Sequence, residues 1–190
     1  HAAGDVARRQ DPDQPPARVR DNLWVWCETA GSMGDGDAYL SKASGNPVFA
    51  ECAVRQLLTT HRWNFAPDLG LWYHLGRPTG PDRESAPWGR GNGWFLYGLR
   101  GLLEDLPPAH PARPELTAAL RAGLEGLLRW QGPHGLWHNV LDATEATSRQ
   151  DSCTAWMFTS VYARAFWKGW LRDPRIPAMG ERAWQGLKTK

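Results

Sequence analysis

Apolar positions along this chain fall mainly into helical spacing, interrupted by Gly- and Pro-rich loops. Asn46 followed by Pro47 is a helix start: Asn caps the first turn, and proline stands where no N–H is needed. Phe49, Cys52, Ala53, Leu57 and Thr60 then recur near the 3.6-residue period, with Gln56 as a polar break. Leu116, Ala119, Leu120, Gly123, Leu124, Leu127 and Leu128 form a cleaner amphipathic run, with Pro114 just ahead of it. Residues 94–103 and 153–170 are apolar on nearly every side, which predicts helices wrapped by neighbours. One-sided helices therefore alternate with wrapped ones, as outer and inner helix layers would require.

An internal repeat has the same rhythm. Gly70-Leu71-Trp72-Tyr73-His74 recurs as Gly135-Leu136-Trp137-His138-Asn139. Each copy follows a one-sided helix ending near a Trp, Trp63 or Trp130, and precedes a polar loop bearing Arg90 or Arg149. The unit is an outer helix, a G-L-W loop and an inner helix. The expected fold is all-α, with about three hairpins and six or seven helices. The G-L-W segments make short hairpin arms at most, and no sheet is expected. Residues 1–22, with Pro12, Pro15 and Pro16 among Asp, Gln and Arg, read as a linker or irregular segment before a domain over 23–190.

Composition narrows the function classes. A net charge of +2 with acids and bases mixed along the chain argues against a nucleic-acid or polybasic membrane surface. No apolar run is long enough for a membrane span. Twelve Trp are unusual: indole faces stack on sugar rings, although Trp also fills cores. Cys27, Cys52 and Cys153 are widely spaced and read as buried free thiols. The chain begins with His rather than Met, and His1 to Arg20 contain no apolar signal core. With the free thiols, this points to the cytoplasm.

Several residues can carry chemistry. Arg90-Gly91-Asn92-Gly93-Trp94 opens an inner helix, where N–H groups favour an anion and Arg90 can grip a carboxylate. Asn92 can cap. The alternative is that Arg90 only ties down its loop. His74 ends the first G-L-W loop and is either structural or part of a site. Trp26-Cys27-Glu28 opens a segment, 28–43, poor in helix formers and containing Gly31, Gly34, Asp35, Gly36 and Asp37. Such a segment marks either a site or a frayed helix. Asp151 reads as the cap of the next inner helix. No cofactor motif or metal cluster stands out.

Trp88-Gly89-Arg90-Gly91-Asn92-Gly93-Trp94, the two G-L-W loops and Ser148-Arg149-Gln150-Asp151-Ser152 together resemble glycoside hydrolase family 105 from about Leu23 to Leu171. These are the unsaturated rhamnogalacturonyl and glucuronyl hydrolases. The resemblance implies an (α/α)6 toroid and an oligosaccharide substrate ending in a 4,5-unsaturated uronic acid. It also implies enol-ether protonation, addition of water, and release of the neighbouring sugar. On this likeness Glu28 stands where the family has its acid/base Asp. Trp26, His74, Trp88, Arg90, Asn92 and Trp94 fall at substrate-binding positions, and neither metal nor cofactor is implied.

Three departures accompany the likeness. Glu replaces Asp at position 28, the following Thr29-Ala30-Gly31-Ser32-Met33-Gly34 is atypical, and Asp35 and Asp37 remain alternative acids. The length fits only part of a twelve-helix ring, without the earlier hairpins and the last one. Open ends of such a partial ring predict self-association. Competing functions are a carbohydrate-binding fragment without turnover and another αα-toroid sugar enzyme such as an epimerase.

Overall fold

The computed structural model describes residues 23–189, so the linker expected at 1–22 lies outside the described residues. Among them are six helices in three hairpins: α1 Cys27–Ser44 with α2 Pro47–Asn64, α3 Gly89–Asp105 with α4 Arg113–Arg129, and α5 Ser152–Trp167 with α6 Arg175–Lys188. Helices α1, α3 and α5 lie side by side as an inner layer, and each packs on the outer helix that follows it. This is an open arc of α/α-toroid hairpins, as the alternation of wrapped and one-sided helices predicts.

Asn46 caps α2 by accepting the N–H of Val48, and Asp151 caps α5 by accepting those of Cys153 and Thr154. The awkward segment at 28–43 is neither frayed nor irregular; it is the continuous helix α1. Gly31 answers to another helix. A methyl group on Gly31 would collide with the backbone carbonyl of Trp94, and one on Gly98 would collide with that of Gly31. The two backbones meet at this Gly–Gly crossing, so the low helix propensity of α1 is offset by close packing on α3.

Short strands correct the expectation of no sheet. β1 Val25–Trp26, β4 Leu75–Arg77 and β5 Gly80–Pro81 form one small antiparallel sheet. β2 Phe65–Ala66 pairs with β3 Leu71–Trp72, and β6 Trp137–His138 pairs with β7 Gln150–Asp151. Both G-L-W copies turn alike at their glycine, although the strand of the first pairs with a segment before it and that of the second with one after it. Gly70 and Gly135 have φ of 69° and 81°, the left-handed region that suits glycine. They press on the backbones of α4 at Gly126 and α6 at Arg182. The following Trp72 and Trp137 are fully buried, in a core that includes Phe95, Phe158 and Tyr162.

Two expectations about burial fail. Helix α5 is apolar on several sides, yet Trp156, Phe166 and Trp167 are exposed on it, Trp156 while stacking on Tyr97 of α3. Of the three cysteines only Cys27 is buried; Cys52 and Cys153 are exposed, and all three are free thiols. No helix among the described residues is long and apolar enough to cross a membrane.

Candidate active site

The first residues of the inner helices lie beside the loops that follow the outer helices. Cys27, at the start of α1, donates its N–H to the carbonyl of His74 at 3.0 Å. Gly89, at the start of α3, donates to the carbonyl of Asn139 at 2.8 Å. Helices α1 and α3 therefore each begin against a G-L-W loop, and the side chains of their first turns are held beside that loop.

Glu28 is in the first turn of α1, and its Oε1 is 2.9 Å from His74 Nε2. The side chains are 24% and 26% exposed, so the pair is sheltered but reachable. The other carboxylate oxygen faces Cys27 Sγ at 3.9 Å. A Cβ on Gly91 would stand 3.7 Å from that oxygen and 2.8 Å from the sulfur, so the glycine leaves room for both side chains. Burial and the adjacent carboxylate push the Cys27 thiol well above its ordinary pKa, which keeps it uncharged. His74 is held from both sides by its backbone, its N–H donating to the carbonyl of Ala86. Asn64 reinforces the loop by donating to the carbonyls of Val25 and Tyr73.

Aromatic rings flank this pair. Trp26 meets the His74 ring edge-on with centroids 4.8 Å apart, and Trp88 lies on another side at 5.1 Å. Trp26 is 49% exposed, enough to offer a face to a ligand. The Arg90 guanidinium sits 4.7 Å over the Trp88 ring. Its Nη1 reaches Asp151 Oδ2 at 2.5 Å and Asn139 Oδ1 at 3.4 Å. Trp94, one helical turn beyond Arg90, is exposed and neighbours Tyr97.

Glu28, His74, Trp26, Trp88 and Arg90 thus form one continuous cluster, with Trp94 at its margin. Asn92 does not face it. Asn92 is fully buried, accepts the N–H of Trp72 at 2.9 Å, and donates to the carbonyls of Trp72 and Trp88 at 2.7 and 2.9 Å. Its amide ties α3 to the first G-L-W strand instead of capping the helix or meeting a ligand. The other acids of α1 lie farther along the helix. Asp35 faces Gly101, and Asp37, whose carboxyl partial burial holds above the ordinary range, stands more than two turns from Glu28.

Two residues that hold the cluster have roles that single residues in the sequence do not disclose. Asn139 accepts from the Trp88 indole at 3.1 Å as well as from Arg90. Asp151, expected only as a cap, also pairs with Arg90. The repeat is the signal for Asn139, which occupies in the second copy the position of His74 in the first.

The model of glycosyl hydrolase family 88 matches residues 20–190 of the chain. The chain belongs to this family. The family 88 chain is 24% identical over 168 residues to an unsaturated 3S-rhamnoglycuronyl hydrolase of Alteromonas sp. strain LOR. That match covers 86% of this chain and 40% of the relative. Over 77 residues it is 34% identical to the unsaturated rhamnogalacturonyl hydrolase YesR of Bacillus subtilis strain 168, covering 40% of this chain and 22% of that one. A structure described as a possible glycoside hydrolase family 105 member from Salmonella enterica serovar Paratyphi A superposes with a TM-score of 0.76 at 26% identity. It covers 87% of this chain and 44% of the Salmonella chain, in agreement with the family resemblance of the motifs. The chain therefore spans less than half the length of these relatives.

Proposed function

We propose that this family 88 chain carries the catalytic side of a hydrolase acting on oligosaccharides that end in a 4,5-unsaturated uronic acid. The observation that carries the reading is the Glu28–His74 pair at 2.9 Å, flanked by Trp26 and Trp88 and adjoining Arg90. The Alteromonas and Bacillus relatives are named for hydrolysis of unsaturated uronyl sugars, which supports the substrate class.

In this reading Glu28 in its acid form gives a proton to C4 of the C4=C5 enol ether, and water adds at C5. The proton lost by the water restores the acid, so the net change is hydration. The resulting hemiketal opens and releases the neighbouring sugar. His74 orients the Glu28 carboxyl through its hydrogen bond. Trp26, Trp88 and Trp94 offer ring faces to the sugar. Arg90 faces the uronate: its bonds to Asp151 and Asn139 both use Nη1, and a guanidinium carries further donors.

The test is turnover of an unsaturated uronyl disaccharide, followed by loss of the ultraviolet absorbance of its conjugated carboxylate. Arg90→Ala is expected to raise KM by about 10- to 100-fold, the loss of one charge-assisted contact. An unchanged KM would remove Arg90 from the uronate site. Saccharide binding without turnover by the wild-type chain would select a binding fragment instead.

A further inference from the structure

We infer that Asn139 is a positioning residue that sets Arg90 and Trp88 as a unit, an inference that rests on the reading of this cluster as a uronide site. The two copies of the repeat hold their last residue alike. In the first copy, Cys27 N–H donates to the His74 carbonyl, and His74 N–H donates to the Ala86 carbonyl. In the second copy, Gly89 N–H donates to the Asn139 carbonyl, and Asn139 N–H donates to the Arg149 carbonyl. The two backbones are fixed in the same way, so each side chain leaves a rigid pedestal.

Each pedestal holds the second residue of an inner helix: His74 holds Glu28, and Asn139 holds Arg90. The residue before each helix is also equivalent, Trp26 in one copy and Trp88 in the other. His74 contacts Trp26 by its ring, whereas Asn139 accepts the Trp88 indole N–H. The indole and the guanidinium only donate, so one oxygen of Asn139 serves both. Asp151 cannot replace it. Its Oδ1 is committed to the N–H groups of Cys153 and Thr154, and only Oδ2 reaches Arg90. With Asn139 removed, Arg90 would be drawn to Asp151 alone, and Trp88 would lose its only described polar contact through the indole N–H.

The experiment reads the ligand-free chain and the binding site separately. Side-chain NMR of the whole chain follows the Trp88 indole N–H and the Arg90 Nε–H. Asn139→Ala and Asn139→Ser are expected to shift both resonances and to speed solvent exchange of the indole proton about tenfold. Asn139→Asp, which keeps an acceptor oxygen, should retain the slow exchange. Affinity for an unsaturated uronyl disaccharide, read by Trp fluorescence, should fall about tenfold in Asn139→Ala, as expected when a hydrogen bond that orders a charged group is lost. Wild-type resonances and exchange in both Asn139→Ala and Asn139→Ser would overturn the inference. If the wild-type chain does not bind the disaccharide, the proposed function fails, while the NMR comparison still decides whether Asn139 positions Arg90 and Trp88.

Discussion

Replacing Asn92 by Ala isolates a buried side chain that resembles a ligand contact in the sequence and a structural tie in the fold. Trp72 and Phe65 face each other across the β2–β3 pair, yet the N–H and the carbonyl of Trp72 both bond the Asn92 amide. Asn92 thus acts as a one-residue extension of the sheet. The alanine variant strands those two buried backbone groups and also loses the bond to the Trp88 carbonyl. Each stranded buried group costs about 1–3 kcal/mol, so a loss of about 3 kcal/mol is a conservative expectation. For a chain of this size that lowers the melting temperature by about 6–12 °C. Asn92→Asp retains an acceptor for Trp72 N–H but sets carboxylate oxygen against two carbonyls, so it should be at least as unstable at neutral pH. Thermal melts followed by circular dichroism, paired with saccharide binding, give the answer. A melting point within 2 °C of wild type (about 1 kcal/mol or less) together with weakened binding would refute the assignment and return Asn92 to the ligand site.

Other consequences follow from packing and protonation. Gly31→Ala should destabilise by about 3 kcal/mol or more because the new methyl meets the Trp94 carbonyl. Gly36→Ala on the same helix meets nothing within 4 Å and should stabilise by about 0.5–1 kcal/mol; comparable urea midpoints for the two variants would contradict the crossing. His61 accepts the Trp72 indole N–H at Nδ1, and burial lowers its pKa to about 4. The folded state therefore holds fewer protons than the unfolded chain in this range, and stability is lost as pH falls from about 6.5 towards 4. The loss is at most about 2 kcal/mol by pH 5, reduced by the partial exposure of the ring; an equal slope in His61→Gln would place the effect elsewhere.

The hairpins were legible because their helices carry a 3.6-residue period over long windows and because the G-L-W repeat fixes the phase of the loops. What remained hidden depends on distant neighbours. Gly31 of α1 makes sense only against α3 at Trp94 and Gly98, far along the chain. An Asn at the start of an inner helix reads the same whether its amide meets a sugar or a strand. The exposure of Trp156 and Trp167 depends on which elements flank α5, a fact that no local pattern contains. The family motifs single out Glu28, His74, Trp88 and Arg90, and their convergence in space follows from α1 and α3 starting against the G-L-W loops. Asn139 was missed because its role lies in its equivalence to His74, not in its residue type.

The most direct test of the functional reading compares wild type and Glu28→Gln on an unsaturated uronyl disaccharide, with absorbance for turnover and Trp fluorescence for binding. Glutamine keeps the size and a hydrogen bond to His74 but cannot deliver the proton. The expected result is absorbance loss with wild type, at least about 100-fold slower loss with Glu28→Gln, and binding within a few-fold of wild type. A Glu28→Gln chain that turns over at the wild-type rate would contradict the account.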